Sequence, residues 1–209
     1  MTLAINGQKL IVGHLNKDLK ERGKMKYQII YADPPWGHND KMATHSFTQL
    51  HHYSTMTTPE ICNLPIKELS EKDSVLFLWA VSPMLIDALQ VMGAWGYKYK
   101  TIVFCWSKIT KNKKLISNLG RWTMGNIEIV LLGVKGHPKR LIKNVKQLVI
   151  AERTEHSKKP VEVRNRIVEL MGDLPRIELF ARQKTEGWES VGYDIDGKDI
   201  RQSLKEIAG

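Results

Sequence analysis

Apolar residues along this chain fall into two patterns. The first is a set of short continuous blocks, rich in β-branched and aromatic side chains, of the kind that buried strands carry. Tyr27–Ala32, Val75–Ala80, Lys100–Trp106, Ile127–Leu132 and Arg176–Ala181 are such blocks, with shorter ones at Gln147–Ile150 and Ser190–Tyr193. The second pattern recurs at helical spacing. Ser82-Pro83 opens a helix whose Leu85, Ile86, Leu89 and Met92 fall on one face, ended by Gly93 and Gly96. Thr58-Pro59-Glu60 starts a short helix with Thr58 as its cap, interrupted at Pro65. Pro160 opens another, carrying Val163, Ile167 and Leu170 and closed by Gly172. Ile200 to Ile207 predicts a terminal helix.

Strands alternating with helices predict an α/β fold with a mainly parallel sheet. Met1–Lys26 holds a short apolar patch, Leu10-Ile11-Val12, and then a charged stretch, predicting a loose strand and a helix before Tyr27. No repeat, low-complexity segment or proline- or serine-rich linker divides the chain. One domain over 1–209 is expected, with 1–25 as a loosely packed N-terminal extension.

Composition changes this picture in one respect. Hydrophobic content of 42% and charged content of 26% in 209 residues are ordinary, but the net charge is +10. A strongly basic chain suits a polyanionic partner or an acidic surface. Lys98, Lys100, Lys108, Lys111, Lys113 and Lys114 crowd one segment; Lys135, Lys139, Arg140, Lys143 and Lys146 crowd another. Both are expected near one edge of the sheet, where lysine-rich loops give sequence-independent phosphate contact or remain simply solvated. Cys62 and Cys105 sit in apolar contexts without paired spacing and read as core thiols of a reducing compartment. The longest apolar run, Val75–Val81, is too short to span a bilayer, and the N-terminus has no signal-peptide pattern. A cytoplasmic protein, or a nuclear one in a host with a nucleus, is expected. His38, His45, His51 and His52 crowd the polar stretch after Trp36 without metal-ligand spacing, so no metal is expected.

The chemistry concentrates at Asp33-Pro34-Pro35-Trp36, which ends the Tyr27–Ala32 block. Neither proline can donate to a sheet, and each pushes its predecessor into extended backbone. A carboxylate, stiff carbonyls and an indole therefore gather at a strand's C-terminal end, where open α/β sheets bind ligands. The oxygens are acceptors only, matching a nitrogen with two N–H donors, and the indole offers a face to a planar base. Adenine N6 and cytosine N4 both fit. The four residues resemble the catalytic motif of amino-group DNA and RNA methyltransferases. The tryptophan variant is similar to the adenine-N6 family typified by the eukaryotic mRNA adenosine methyltransferase, the MT-A family, in a bacterial or phage form.

A second region strengthens the resemblance. Lys159-Pro160, the following helix, Glu178-Leu179-Phe180-Ala181-Arg182 and then Gly187-Trp188 look like the cofactor half of these enzymes. A basic helix N-terminus attracts anions, although such a turn is also compatible with an ordinary exposed cap. The resemblance implies a Rossmann-like methyltransferase sheet with helices on both faces and a circularly permuted motif order, over roughly residues 26–197. It implies S-adenosylmethionine as cofactor, with Lys159 at the methionine carboxylate and Asp33 and Pro34 near both methyl donor and amine. Glu178, Phe180 and Arg182 would border the ribose. The chain departs from the family pattern at Ala181, Gln183, Lys184 and Thr185, and Tyr193-Asp194 stands in place of an Asn-Gln pair. Lys184, Tyr193 and Asp194 are thus only positional candidates for the cofactor's adenosine.

On the substrate side, Tyr53 either packs on a flipped base or caps the core edge. Trp122 is a candidate to stack on the substrate, and Lys111, Lys113 and Lys114 are candidates to hold phosphates. Glu128 lies in an otherwise apolar strand, so it needs a partner or a solvent-facing edge, and the resemblance implies a substrate-binding place for it around the target amine. The expected activity is methyl transfer to adenine N6 in nucleic acid, DNA favoured over RNA, with Asp33, Pro34, Pro35 and Trp36 as the catalytic set. The adenine would be flipped or single-stranded. Cytosine-N4 methylation and an inactive nucleic-acid-binding subunit are the alternatives. The family's paired subunits imply a homodimer.

Overall fold

In the computed structural model, the described residues are 4–5, 8–9, 26–37, 55–120, 122–154 and 158–208. Ala4–Ile5 (β1) and Gln8–Lys9 (β2) form an antiparallel pair. The apolar blocks become Tyr27–Ala32 (β3), Ser70–Ala80 (β4), Lys98–Ile109 (β5), Ile127–Lys135 (β6), Leu148–Glu152 (β7), Arg176–Leu179 (β8) and Glu189–Val191 (β9). They make one sheet in the order β7-β5-β6-β4-β3-β8-β9. Parallel ladders join β3 to β4 and β8, β5 to β7, and β8 to β9. Only β6 is reversed, antiparallel to both β4 and β5. A parallel return needs a crossover, usually helical. The described residues of the connection 110–126 include no helix, and β6 comes back beside β5 in the opposite direction.

The helices are Thr58–Cys62 (α1), Ile66–Leu69 (α2), Leu85–Ala94 (α3), Val161–Met171 (α4), Tyr193–Asp196 (α5) and Ile200–Ala208 (α6). Strand side chains alternate between two faces, and each face has its own core. Ile30, Ala32, Leu76 and Leu78 share a cluster with Ile61, Val91, Met92 and Leu204 of α1, α3 and α6. Ile29, Tyr31, Phe77, Trp79, Phe104 and Trp106 meet Val163 and Ile167 of α4 on the other face. Helices therefore cover both faces, as expected of the fold class. No helix among the described residues is long and apolar enough to cross a membrane.

Three local expectations change. The buried side of α3 is Ala88, Val91 and Met92, while Leu85 and Leu89 are exposed and Ile86 is 80% exposed. Small Ala88 faces inward, and Thr58 Oγ1 donates to Asp87 Oδ1 at 2.7 Å, tying α1 to α3; the larger aliphatic residues rotate outward. The cap of α1 is Thr57 rather than Thr58, in a reciprocal capping box with Glu60. Finally, the lysine-rich segments do not gather in one place, because the first of them is split between the two ends of β5. Lys98, Lys100 and Lys135 lie at the β5-start and β6-end side of the sheet, whereas Lys111, Lys113 and Lys114 follow the opposite end of β5. Because β6 runs backwards, its trailing lysines return to the far end of the sheet from Asp33. The early strand and helix expected within 1–26, apart from β1 and β2, lie outside the described residues.

Candidate active site

β3 and β8 are hydrogen-bonded neighbours, with Ala32 opposite Leu179. Their next residues, Asp33 and Phe180, therefore emerge side by side. The chain leaves β3 towards β4 on one flank and occupies the other flank later with β8 and β9, which makes this a topological switch point. Phe180 takes a left-handed conformation (φ 62°), and Ala181 N–H donates to the Val191 carbonyl at 2.9 Å. A Cβ at Gly192 would strike the Ala181 carbonyl oxygen, so glycine is what lets the β9 end approach this closely. The ends of β3, β8 and β9 surround a cavity of about 800 Å³.

The Asp-Pro-Pro-Trp segment is fastened along its length. Trp36 N–H donates to the Pro34 carbonyl at 2.9 Å, and Met56 N–H to that of Pro35 at 2.9 Å. The Trp36 indole N–H donates to the Trp79 carbonyl at 3.2 Å. Its ring contributes to the cavity wall but belongs to the core cluster, with 7% exposure. The tryptophan thus anchors the motif to the end of β4 as well as facing the cavity.

Across the floor of the cavity runs a chain of alternating charge. Lys159, immediately before α4, places Nζ 3.1 Å from Asp33 Oδ1 and 3.1 Å from Glu128 Oε2. Glu128 also pairs with Lys108. The reversed course of β6 brings Glu128 here, opposite Trp106 near the C-terminal end of β5. A row of aromatic rings lies below these cations. Lys159 Nζ is 5.0 Å from the Trp79 ring centroid, and Lys108 Nζ is 5.0 Å from that of Trp106. Trp79 Nε1 donates to the Tyr31 hydroxyl at 2.6 Å, and Trp106 Nε1 donates to the Ala151 carbonyl at 3.1 Å.

The two carboxylates respond oppositely to this setting. Burial pushes the Asp33 pKa above the usual aspartate range, against the opposing pull of Lys159. Burial also pushes Glu128 upward, but Lys159 and Lys108 together outweigh it and hold its carboxyl below the ordinary glutamate value. Lys159, for which burial favours the neutral form, is held protonated by Asp33 and Glu128.

The cavity wall brings together Asp33, Pro34, Pro35, Trp36, Glu128, Lys159, Phe180, Arg182, Tyr193 and Asp194. Glu178 is not among its lining. It is buried on the α4 face, accepting from Arg164 Nε at 2.7 Å in a forked pair, and Arg164 lies over the Tyr31 ring at 5.5 Å. Lys184, Lys111, Lys113, Lys114 and Trp122 are exposed and outside the wall. Tyr53 and the histidines His38, His45, His51 and His52 lie outside the described residues. Among the described residues no group of His, Cys, Asp or Glu side chains could hold a metal.

Sequence reasoning missed Lys108 as a member of the site, together with Asn118, Arg153 and residues 198–201. Lys108 was detectable: it lies two positions after Trp106 on a strand and so shares that residue's face. The contribution of 198–201 depends on how α5 folds back and has no sequence signature.

Comparison with known proteins agrees with this geometry. A family model described as MT-A70 matches residues 27–194. The chain is 31% identical over 207 residues to Type II methyltransferase M.MunI of a Mycoplasma species, covering 90% of this chain and 86% of that one. It is 28% identical over 177 residues to the human N(6)-adenosine-methyltransferase catalytic subunit METTL3, covering 82% of this chain and 29% of that protein. An N(6)-adenosine-methyltransferase MT-A70-like protein of Arabidopsis thaliana is 28% identical over 176 residues, covering 82% of this chain but 24% of the relative.

Proposed function

The chain belongs to the MT-A70 family, and on that premise we propose that it transfers a methyl group from S-adenosylmethionine to the exocyclic N6 of adenine in DNA. The observation that carries this reading is the meeting of Asp33 and Phe180, from neighbouring strand ends, in one cavity with Lys159 3.1 Å from Asp33. Preference for DNA over RNA rests on the relative matched over most of its length, which is named a Type II methyltransferase. The N(6)-adenosine relatives are spanned for only 24% and 29% of their lengths.

The cavity suits such a cofactor. Its volume of about 800 Å³ lies within the range of about 300–1,000 Å³ usual for small-molecule sites. Its lining combines the Lys159 cation and the Asp33 and Glu128 carboxylates with Phe180, Ile200, Tyr193 and Asp194. Lys159 uses two of its three N–H donors on Asp33 and Glu128, leaving a third for the carboxylate of a methionine end. Phe180, Arg182, Tyr193 and Asp194 are assigned to the adenosine side.

When bound, the cofactor supplies an electrophilic methyl group on a sulfonium. Asp33 accepts one N–H of the target amine. The Pro34 carbonyl accepts the other through its second lone pair, the first being used by the Trp36 N–H. Two fixed acceptors withdraw the amine hydrogens from the plane of the purine and direct the nitrogen lone pair at the methyl. An amine that had taken up a methyl group would carry one proton too many. Asp33, whose basicity burial has raised, is placed to take it. Positioning and electrostatics carry the rate.

Transfer of tritiated methyl from S-adenosylmethionine to single-stranded DNA, duplex DNA and RNA, followed by nucleoside analysis, tests the proposal. N6-methyldeoxyadenosine is expected. N4-methylcytosine, or no transfer together with no cofactor binding, overturns it.

A further inference from the structure

Tyr31 and Trp79 stand on neighbouring parallel strands, β3 and β4, and share one core cluster with Phe77, Phe104, Val163 and Ile167. Each is 1% exposed, so a phenol hydroxyl and an indole N–H lie inside that core and each needs a partner. They find one another: Trp79 Nε1 donates to the Tyr31 hydroxyl at 2.6 Å. The bond fixes a rotation. An indole has a single N–H donor, and turning the ring about its Cβ–Cγ bond would carry that donor off the phenol and leave it buried without an acceptor. Tyr31 is in no position to follow, because its ring is held under Arg164 at 5.5 Å and against Trp188 at 5.7 Å.

The plane of Trp79 matters because of what stands on it. Lys159 Nζ lies 5.0 Å from the ring centroid and 3.1 Å from an oxygen of each of Asp33 and Glu128. A lysine ammonium is a point charge on a flexible stem, with no fork to keep it in register with a carboxylate. Shared between two acids, it could slide towards one and leave the other. The negative face of the indole adds a third point of attraction, and three points define a position. The Trp79 carbonyl also accepts the Trp36 indole N–H at 3.2 Å. One residue therefore carries the tryptophan of the Asp-Pro-Pro-Trp segment on its backbone and Lys159 on its ring. Neither Tyr31 nor Trp79 lines the cavity, so any effect on the reaction passes through the groups they hold.

We propose that Tyr31 and Trp79 are positioning residues for Lys159: the Tyr31 hydroxyl sets the plane of the Trp79 indole, and the indole face seats the ammonium between Asp33 and Glu128. The inference rests on the methyl-transfer reading of the cavity, in which the seated lysine keeps its charge beside Asp33 and its third donor free for the cofactor carboxylate. Without the hydroxyl the indole loses its acceptor and turns, and the ammonium loses the point that holds it between the two acids.

The test uses the full chain with Tyr31→Phe, which removes one oxygen and keeps the ring under Arg164, together with Trp79→Phe and the pair. The seat is read first by nuclear magnetic resonance with isotope-labelled lysine, without cofactor or DNA. The Cε protons of Lys159, assigned by their loss in Lys159→Met, are expected upfield of those of other lysines through the ring current of Trp79. In Tyr31→Phe they should move back towards the others. The dissociation constant for S-adenosylmethionine is expected to rise about fivefold, the weight of one ordinary hydrogen bond, and the acid limb of kcat/KM to shift to higher pH. Trp79→Phe already lacks the N–H, so adding Tyr31→Phe to it should change none of these readouts further.

Lys159 protons that are not upfield in wild type would overturn the seat, whether or not the variants fold. Additive effects in the pair would do the same. So would a Tyr31→Phe that melts lower but keeps the lysine shift, cofactor affinity and acid limb of wild type, as a merely structural hydroxyl would give. The lysine shift separates this inference from the preceding one. If it is lost in Tyr31→Phe while wild type binds no cofactor and transfers no methyl, the seat stands and the methylation reading falls. Adenine methylation by wild type with a lysine shift unmoved in Tyr31→Phe sinks the seat alone.

Discussion

Two groupings of cation, carboxylate and aromatic ring share one face of the sheet, and they have opposite characters. Arg164 lies over Tyr31 and forks onto Glu178, one cation to one carboxylate, both buried. Lys159 lies over Trp79 and is divided between Asp33 and Glu128, and both carboxylates line the cavity. In the first pair every charge is matched in place. In the second, Lys159 is shared between two acids, only one of which has a further lysine, Lys108, and their pKa values move in opposite directions. Chemistry is therefore expected where a cation is shared and solvent can enter, and stability where the pairing is exclusive and closed.

The sharpest way to break this distinction is Arg164→Met. It leaves Glu178 buried and unpaired, a change that typically costs about 3–5 kcal/mol. Chemical denaturation should show a loss of that size, and Arg164→Met with Glu178→Leu should recover most of it, since a buried pair is often replaceable by apolar groups. A fully stable Arg164→Met would mean that the closed pair does not hold the sheet.

Asp33→Asn should act the other way round. Loss of the charged acceptor is expected to lower kcat by about 10²–10³-fold, the scale of removing one preorganised polar group. Stability should not fall with it. A carboxyl whose pKa is raised on folding contributes stability that is present at acid pH and lost as pH rises through the raised value. Once pH has risen past that value the buried charge is a cost, so melting of Asp33→Asn should match or exceed wild type in that range. A large drop in melting temperature would place Asp33 with the structural pair instead.

The contrast between the two groupings also marks how far the sequence could be read. Tyr27–Ala32 was legible because a central parallel strand is covered on both faces and shows as an unbroken apolar run. The adjacency of Asp33 and Phe180 was implied by the family resemblance, which puts both beside one cofactor, and not by the apolar runs themselves. The direction of β6 was not legible, since apolar patterning carries no sign of chain direction. That is why Glu128 could be read only as an acid needing a partner, and why one lysine cluster was expected at the wrong end. The resemblance implies a place for Glu178 beside the ribose, and an acid near a strand end can serve either a ligand or a buried guanidinium. Only the packing of α4 brings Arg164 to it. The face of α3 was misread because the pattern counted Ile86 and Leu89 and gave no weight to Ala88.

Lys159→Met probes the shared cation. Its removal takes away the main force holding down the Asp33 pKa, so that pKa should rise further. The acid limb of the pH profile of kcat/KM should move to higher pH, and S-adenosylmethionine should bind more weakly in calorimetry. A limb that stays in place would mean that Asp33 ionisation does not govern the rate.

Lys108→Gln should give the smallest effect and the finest test of coupling along the chain of charges. Lys108 does not touch Asp33; it pairs with Glu128, which is held ionised by Lys159 and Lys108 together. Without Lys108, Glu128 draws more heavily on Lys159, and Lys159 offers less to Asp33. The acid limb should therefore shift in the same direction as in Lys159→Met, but by less, with rates converging on wild type at alkaline pH where Asp33 is ionised in both. Glu128 keeps Lys159 as a partner, so melting should change less than in Arg164→Met, which strands its carboxylate. A shift to lower pH, or a uniform loss of kcat at every pH, would show that Lys108 acts on the site by packing against Trp106 rather than through Glu128.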